Sequence, residues 1–500
     1  MKEWRFPTPL GVPRPAPVPG EAHTPRGRTR RNVVLILAFA WRMLTLFLRG
    51  RSTAARRAVE TRALLERLGG LWTKVGQLLA TRPDVFSAEL CRELARMQDR
   101  ATSIPWETAK ELLERELGRP CETVFESIDA EPMAAASIGQ VHFATRAGKR
   151  LVVKIQRPNL PELLRQDMRV IRAGVALIRF SGILRFFRWD EFLWELEQIL
   201  QEEIDYRVEE QSMRRMRRTL ASHGIRAPKV DRSLSTQRVL VMEFIGGVYM
   251  SEYIEAVAAG DGAALAAWLH ENDIDPRRVA RKLFLSFRRQ LFDDNLFHGD
   301  LHPGNIVLLR DSEVALIDFG SVGRLEGEFF RKYRLFARAW SRQEYSKAVD
   351  ILFLMYPRLP EIDLSALKEK LVRVVRAWEV RADTDGLPYM EKSLTTCIVE
   401  LSRILFRARC PLEWSFMRVL RAQSTLDMSL MYLDPDLDQQ GLLRRFFRES
   451  ELRNVYTLAD PGLARRYARQ FGERIEHDEL IAEQSFLEAE SKRRRSLRYR

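Results

Sequence analysis

The segment HGDLHPGN, residues 298–305, with the apolar run Val314-Ala315-Leu316-Ile317 and the triplet Asp318-Phe319-Gly320 after it, decides the reading of this chain. Phosphoryl-transfer loops place an Asp that accepts or orients a hydroxyl proton five residues before a metal-binding Asn, which is the separation of Asp300 and Asn305. The triplet adds Asp318, an oxygen ligand of the kind Mg²⁺ takes alongside nucleotide phosphates. Gly304 and Gly320 permit backbone angles that a side chain penalises. His298 and His302 stand at i and i+4, but Pro303 and Gly304 disfavour the helix such a metal pair needs, so they read as braces of the loop.

Upstream, LVVKIQRP (151–158) is β-rich, and strand alternation puts Lys154 on one face with Val152 and Gln156. A strand lysine followed by such a loop reaches the α- and β-phosphates. Val141–Ala144 and Leu151–Ile155 flank the turn-prone Arg146–Lys149 and read as a hairpin. Where a glycine-rich phosphate loop is expected stands Ala134-Ala135-Ala136-Ser137-Ile138-Gly139-Gln140, with Gly139 its lone glycine. The alanine methyls stiffen that backbone and alter how it wraps a nucleotide. The base is expected to hydrogen-bond to backbone in the hinge Met242-Glu243-Phe244-Ile245. A helix glutamate should pair with Lys154; of Glu195, Glu202 and Glu203, within a helical region from Trp189 to Leu220, Glu203 is the expected partner. ATP and Mg²⁺ are the implied cofactors.

Five hundred residues, 46% apolar and 30% charged, exclude disordered, collagenous and disulfide-scaffold classes. Cys91, Cys121, Cys397 and Cys410 lack zinc or disulfide spacing. Much of the net charge of +14 lies at the ends, in SKRRRSLRYR (491–500) and in Arg26, Arg28, Arg30 and Arg31. Such blocks suit an anionic membrane surface or serve as solubilising tails; no zinc-finger, RRM or basic-zipper pattern points to nucleic acid. Val33–Leu48 is apolar apart from Arg42 and Thr45, and falls short of the roughly 20 residues of a spanning helix. No small-residue cleavage site follows it. A cytoplasmic, peripherally membrane-associated protein is expected.

The parts assemble into an α+β, bilobal protein-kinase-like fold. The expected organisation is a disordered proline-rich arm (1–30), a helical extension (31–120), a small mixed lobe (121–247), a helical lobe (248–445) and a helical C-terminal region with a basic tail (446–500).

Together the alanine-rich loop, the lysine strand, HGDLHPGN and DFG resemble the UbiB family of atypical kinase-like proteins. The family's KxGQ element looks like Lys74-Val75-Gly76-Gln77, its LQD like Met97-Gln98-Asp99, and its ExD like Glu203-Ile204-Asp205. The likeness spans residues 60–440, including the stretch CPLEWSFMRVLRAQSTLDMSLMYLDPDLD (410–438). It implies that the extension carries Lys74 and Gln77 over the active site, with Lys74 near Glu203 or Asp205, blocking polypeptide substrates. It also implies support of ubiquinone or another isoprenoid quinone pathway, acting on a small molecule or lipid, with quinone-biosynthetic proteins as possible partners. A nucleotide-sensing scaffold that assembles such enzymes is the competing reading. An aminoglycoside or choline phosphotransferase shares the catalytic loop but lacks the KxGQ element.

Overall fold

A computed structural model describes residues 6–11, 27–50, 52–83, 85–97, 103–135, 138–182, 187–356, 359–410, 412 and 414–456. The chain divides into two units: one runs to Ile274 and includes Pro303–Val322, and the other takes Asp275–His302 and the chain from Gly323.

The first unit opens with helices α1 (Arg28–Leu48), α2 (Ala54–Leu68), α3 (Leu71–Ala80) and α4 (Ala88–Ala95). Thr53 and Ser87 cap α2 and α4 by accepting the amides of Arg56 and Leu90, satisfying donors that a helix start leaves open. The leucine periodicity forms their seam, where Leu65, Leu68, Leu94 and Met97 are buried with Trp72 against them. Gln98 and Asp99 lie outside the described residues.

After α5 (Trp106–Leu117) and α6 (Cys121–Val124) come β1 (Ser127–Ile128), β2 (Ala134–Ala135), β3 (Gly139–Arg146) and β4 (Lys149–Gln156). Ala147 and Gly148, at φ 49° and 67°, make the tight turn between β3 and β4 whose twist matches the strands. Helices α7 (Leu160–Ser181), α8 (Trp189–Ile204) and α9 (Tyr206–Ser222) follow, then β5 (Ile225–Arg226), β6 (Val239–Glu243), β7 (Val248–Tyr249), α10 (Met250–Ala259) and α11 (Gly262–Glu271). The main sheet runs β1-β3-β4-β6, with β2 paired to β3. Leu151, Val153 and Ile155 share a core with Leu112 and Leu113 of α5 and with Val239 and Val241 of β6. Strand alternation then sends Val152, Lys154 and Gln156 to the opposite face. A second sheet, β5-β10-β9-β7, uses β9 (Ile306–Leu308) and β10 (Val314–Leu316) and carries the DFG triplet at its end.

Three expectations need correction. The helical region Trp189–Leu220 is two helices, because Asp205 leaves helical geometry (φ −127°, ψ 99°) and its carboxylate caps α9 by accepting the Arg207 amide. The arm 1–30 is not uniformly without structure: Phe6 and Thr8 make packing and hydrogen-bond contacts with the rest of the first unit, and α1 begins at Arg28. Prolines forbid a helix there but favour an extended segment that can dock. Finally, α1 reaches 21 residues because its backbone starts five positions before Val33, so by length and composition it is long enough to cross a membrane. Leu37, Trp41, Phe47 and Leu48 on it are exposed.

The second unit holds α12 (Pro276–Phe292), β8 (Phe297–His298), α13 (Gly327–Ser341), α14 (Tyr345–Leu354), α15 (Leu364–Ala382), α16 (Tyr389–Lys392), α17 (Leu394–Arg407), α18 (Trp414–Leu433) and α19 (Gln439–Tyr456). Asp427 of α18 is buried at its centre, accepting from the Tyr389 hydroxyl at 2.7 Å, Ser393 Oγ at 2.8 Å and Gln423 Nε2 at 3.0 Å. The basic tail 491–500 lies outside the described residues.

Candidate functional site

Lys154 is the fixed point of the first unit. Its strand is held between β3 and β6, with Lys154 opposite Val141 and Leu240. The ammonium meets Glu209 Oε1 at 2.6 Å and Asp318 Oδ2 at 3.2 Å. Glu209 also accepts the Phe319 amide at 3.3 Å, so one carboxylate ties α9, β4 and the DFG triplet together. Burial favours the neutral lysine, yet the Asp318 and Glu209 carboxylates overcome it and hold the pKa of Lys154 above its ordinary value. Burial raises the pKa of Glu209, with Lys154 opposing.

The expected partner, Glu203, is therefore replaced by Glu209. The physical reason is the helix break: Glu203 closes α8, whereas Glu209 sits in the first turn of α9, on the far side of Asp205. Glu203 instead receives Lys74 Nζ of α3 at 2.9 Å, with both side chains less than one-fifth exposed. Asp205 is engaged by Arg207, whose Nη2 lies 2.6 Å from Oδ2, and that hydrogen bond lowers its carboxyl pKa. Gln77, one turn after Lys74, buries an Oε1 with no hydrogen-bond partner among the described residues.

Asp318 takes the left-handed backbone region (φ 61°), rare for a residue with a Cβ and typical of functional strain. Its Oδ1 accepts the Gly320 amide at 3.1 Å, and its side chain is half exposed. Asn305 ends the 3₁₀ turn Pro303–Asn305, and its carbonyl accepts the Ile317 amide at 3.0 Å, which clamps the start of β9 to the end of β10. Among the described residues no group of three or more His, Cys, Asp and Glu could hold a metal by itself. An exposed carboxylate and a carboxamide supply hard oxygen donors, which suit Mg²⁺ shared with phosphates better than an all-protein cage.

The alanine loop contributes Ala134 and Ala135, paired with Val141 and Gln140; Ala136 and Ser137 lie outside the described residues. Ile138 accepts the Arg157 amide through its carbonyl. The Gln140 side chain departs from its expected nucleotide role: it is buried, accepts the Ile104 amide at 2.8 Å and contacts His142 Nε2. Gly139 is required by close approach, since a Cβ there would lie 2.6 Å from both the Ile155 carbonyl and the Tyr206 hydroxyl. Tyr206 is a site residue that sequence reasoning missed. It is buried beside Lys154, Glu209 and Asp318, and its phenol pKa is raised chiefly by burial. Its place directly after the ExD-like Asp205 was the available signal.

In the hinge, Met242 is buried, while the Glu243 carboxylate pairs with Arg226 and accepts the Lys229 amide at 3.2 Å. Phe244 donates its amide to the Arg150 carbonyl, and Ile245 is buried with Val307, Leu309 and Ala315.

Asp300 belongs to the second unit. The HGD turn hangs from α12: Gln290 accepts the His298 amide at 3.0 Å, and His298 Nδ1 accepts the Asp300 amide at 3.2 Å. His298 is fully buried, as expected of a brace, while His302 is exposed. Asp300 Oδ2 accepts from Arg421 Nη2 of α18 at 2.9 Å. Arg421 is a second missed residue, 121 positions away in the chain, where no local pattern reaches.

Comparison with known proteins places the chain in a family. The ABC1 atypical kinase-like domain matches residues 96–352. An uncharacterized protein of Synechocystis sp. is 31% identical over 60% of this chain and 75% of its own length. A probable protein kinase UbiB of Pasteurella multocida is 32% identical over 57% of this chain and 55% of its own. The chloroplastic protein ACTIVITY OF BC1 COMPLEX KINASE 7 of Arabidopsis thaliana is 30% identical over 74% and 51% respectively, so the chain spans about half the length of these last two. Among solved structures, that of the Rv3197–erythromycin complex from Mycobacterium tuberculosis aligns at 24% identity and a TM-score of 0.48, covering 76% of this chain and 92% of that one.

Proposed function

The chain belongs to the ABC1 family of atypical kinase-like proteins that includes UbiB, and from that premise we propose that it is an ATP- and Mg²⁺-dependent phosphotransferase or ATPase. Its acceptor is a small molecule or lipid-linked substrate, and its setting is isoprenoid quinone biosynthesis at a membrane surface. The observation that carries the reading is the ammonium of Lys154 held between Glu209 and Asp318. Lys154 is thereby aimed and kept charged for the α- and β-phosphates, Asp318 and Asn305 would hold the metal, and Asp300 takes the acceptor proton. Bound Mg²⁺ would neutralise charge on the β- and γ-phosphate oxygens. The backbone of Met242–Ile245 receives the adenine. The exposed apolar residues of α1 and the flanking arginines supply a peripheral contact to anionic lipid. The Lys74–Glu203 pair pins α3 to the end of α8 and is the reason a polypeptide acceptor is not favoured.

One observation favours the competing reading, a nucleotide-sensing scaffold: Arg421 occupies the carboxylate of Asp300 that would take the acceptor proton. ATP turnover by the Asp300→Asn protein separates the two. Loss of a general base costs about 10²–10⁴-fold in rate while calorimetric ATP binding stays intact. Turnover equal to that of the parent protein rejects the enzyme and leaves the scaffold. In the same assay Lys74→Ala is expected to raise turnover or admit peptide acceptors; an unchanged rate and acceptor range removes the occluding role of Lys74.

A further inference from the structure

The short stretch Phe6-Pro7-Thr8-Pro9-Leu10 lies far from every motif in sequence, yet it is docked on the hinge. The Phe6 ring sits between two guanidiniums, with Arg150 of β4 at 5.3 Å and Arg226 of β5 at 5.5 Å from its centroid. Arg150 also lies over Phe244 at 5.2 Å, and Arg226 pairs with the Glu243 carboxylate. The two cations that hold Phe6 are thus the same two that hold the hinge side chains. The ring reaches Gly246 as well, where a methyl group would touch it at 3.4 Å.

Two residues on, Thr8 is fastened to the other side of the hinge. Its amide donates to Asn272 Oδ1 at 2.9 Å, its carbonyl accepts from Trp268 Nε1 at 2.9 Å, and its hydroxyl accepts from Asn272 Nδ2 at 3.1 Å. Asn272 is itself buried and fixed by the Trp268 carbonyl and by Arg310 of the β9–β10 connection. Phe6 and Thr8 each precede a proline, which biases both toward extended backbone, so the segment arrives already straight and loses little entropy on docking.

We propose that Phe6–Leu10 is a strap that fixes the hinge Met242–Ile245 against β4, β5 and α11 and thereby sets nucleotide affinity, with Phe6 as its positioning residue. The proposal rests on the reading of Met242–Ile245 as the adenine site. The geometry supports it in two ways: Phe6 packs against the buried hinge residue Ile245 and reaches Gly246, and the strap bridges β4 and β5, which hold Phe6, to α11, which holds Thr8. A hinge released from one of its anchors samples geometries that do not accept the base, and apparent affinity falls by the fraction of molecules left competent.

The full chain with Phe6→Ala is expected to bind Mg·ATP about tenfold more weakly, as for a competent fraction near a tenth. Turnover at saturating ATP should stay within about twofold, since the strap touches no reacting group. Phe6→Trp, which keeps a π-face for both guanidiniums, should bind as the parent does. Thr8→Pro, which removes the amide donor and the hydroxyl acceptor that face Asn272 but leaves Phe6 in place, should give a smaller shift in the same direction. Amide deuterium exchange over residues 244–249, measured without nucleotide, should speed up in Phe6→Ala. Parent-like affinity or parent-like hinge exchange in Phe6→Ala overturns the strap. A parent protein that takes up no ATP sinks the nucleotide reading instead, and the exchange measurement then still decides whether Phe6 holds the hinge.

Discussion

On the proposed function, substituting Asp318 by asparagine is expected to remove Mg²⁺-dependent ATP binding and to lower turnover by about a hundredfold or more, with the thermal unfolding midpoint staying where it was. The size of the effect follows from the donor set. With Asp318 and Asn305 as the oxygen ligands, the substitution deletes the anionic one, and magnesium sheds water reluctantly for neutral donors. A loss of about 2.7 kcal/mol of transition-state stabilisation already gives the hundredfold figure. The unchanged stability follows from local geometry. Asparagine is among the few side chains that tolerate φ near 61°, and its carboxamide oxygen can still accept the Gly320 amide. Lys154 retains Glu209 at 2.6 Å, so its buried charge is not orphaned. ATP titrations with and without Mg²⁺ check the result, and a variant that binds as the parent does in both conditions rejects Asp318 as a metal ligand.

The contrast between Asp318 and Glu209 explains what the sequence made legible. Asp300, Asn305 and Asp318 lie within nineteen residues of one another, so one short window holds the spacing on which the phosphoryl-transfer reading rests. Lys154 was readable because strand alternation assigns its face without knowledge of what lies opposite. Glu209 was not, because helical periodicity runs through QEEIDYRVEE without a proline or glycine. The break comes from Asp205 turning its carboxylate back onto the Arg207 amide, a competition between side chain and backbone that composition does not announce. The expected freedom at Gly320 likewise fell elsewhere, since the left-handed residue is Asp318 itself. Arg421, Tyr206 and Phe6 depend on contacts made by the folded chain, and a single sequence carries no record of them. Phe6 is the plainest case. Proline density excludes regular structure, but whether an extended segment docks depends on the guanidiniums and the Asn272 carboxamide waiting for it.

The largest stability effect is expected far from the phosphates, at Asp167 of α7. This carboxylate is fully buried and accepts from Arg28 Nε at 2.8 Å, Arg28 Nη2 at 2.7 Å, Asn32 Nδ2 at 2.8 Å and the Leu71 amide at 3.3 Å. The Arg28 guanidinium is buried too and also donates to the carbonyls of Leu68 and Gly69. Gly70 must lack a side chain, because a Cβ would stand 2.6 Å from Arg28 Nη2. One buried ion pair thus joins the start of α1, the α2–α3 turn and α7. Asp167→Ala leaves a guanidinium in the interior without its counter-charge, at a cost of about 3–5 kcal/mol against a total stability of about 5–15. In a unit of this size that lowers the midpoint of thermal unfolding by about 5–8 °C. The paired substitution Arg28→Met with Asp167→Leu should recover most of the loss, since removing both charges also removes their desolvation cost. The consequence reaches the site, because the Leu71 amide that Asp167 fixes opens the helix carrying Lys74 to Glu203 three residues later. Scanning calorimetry of the single and double variants decides the matter: an Asp167→Ala midpoint within 1 °C of the parent would falsify this account of how the helical extension is anchored.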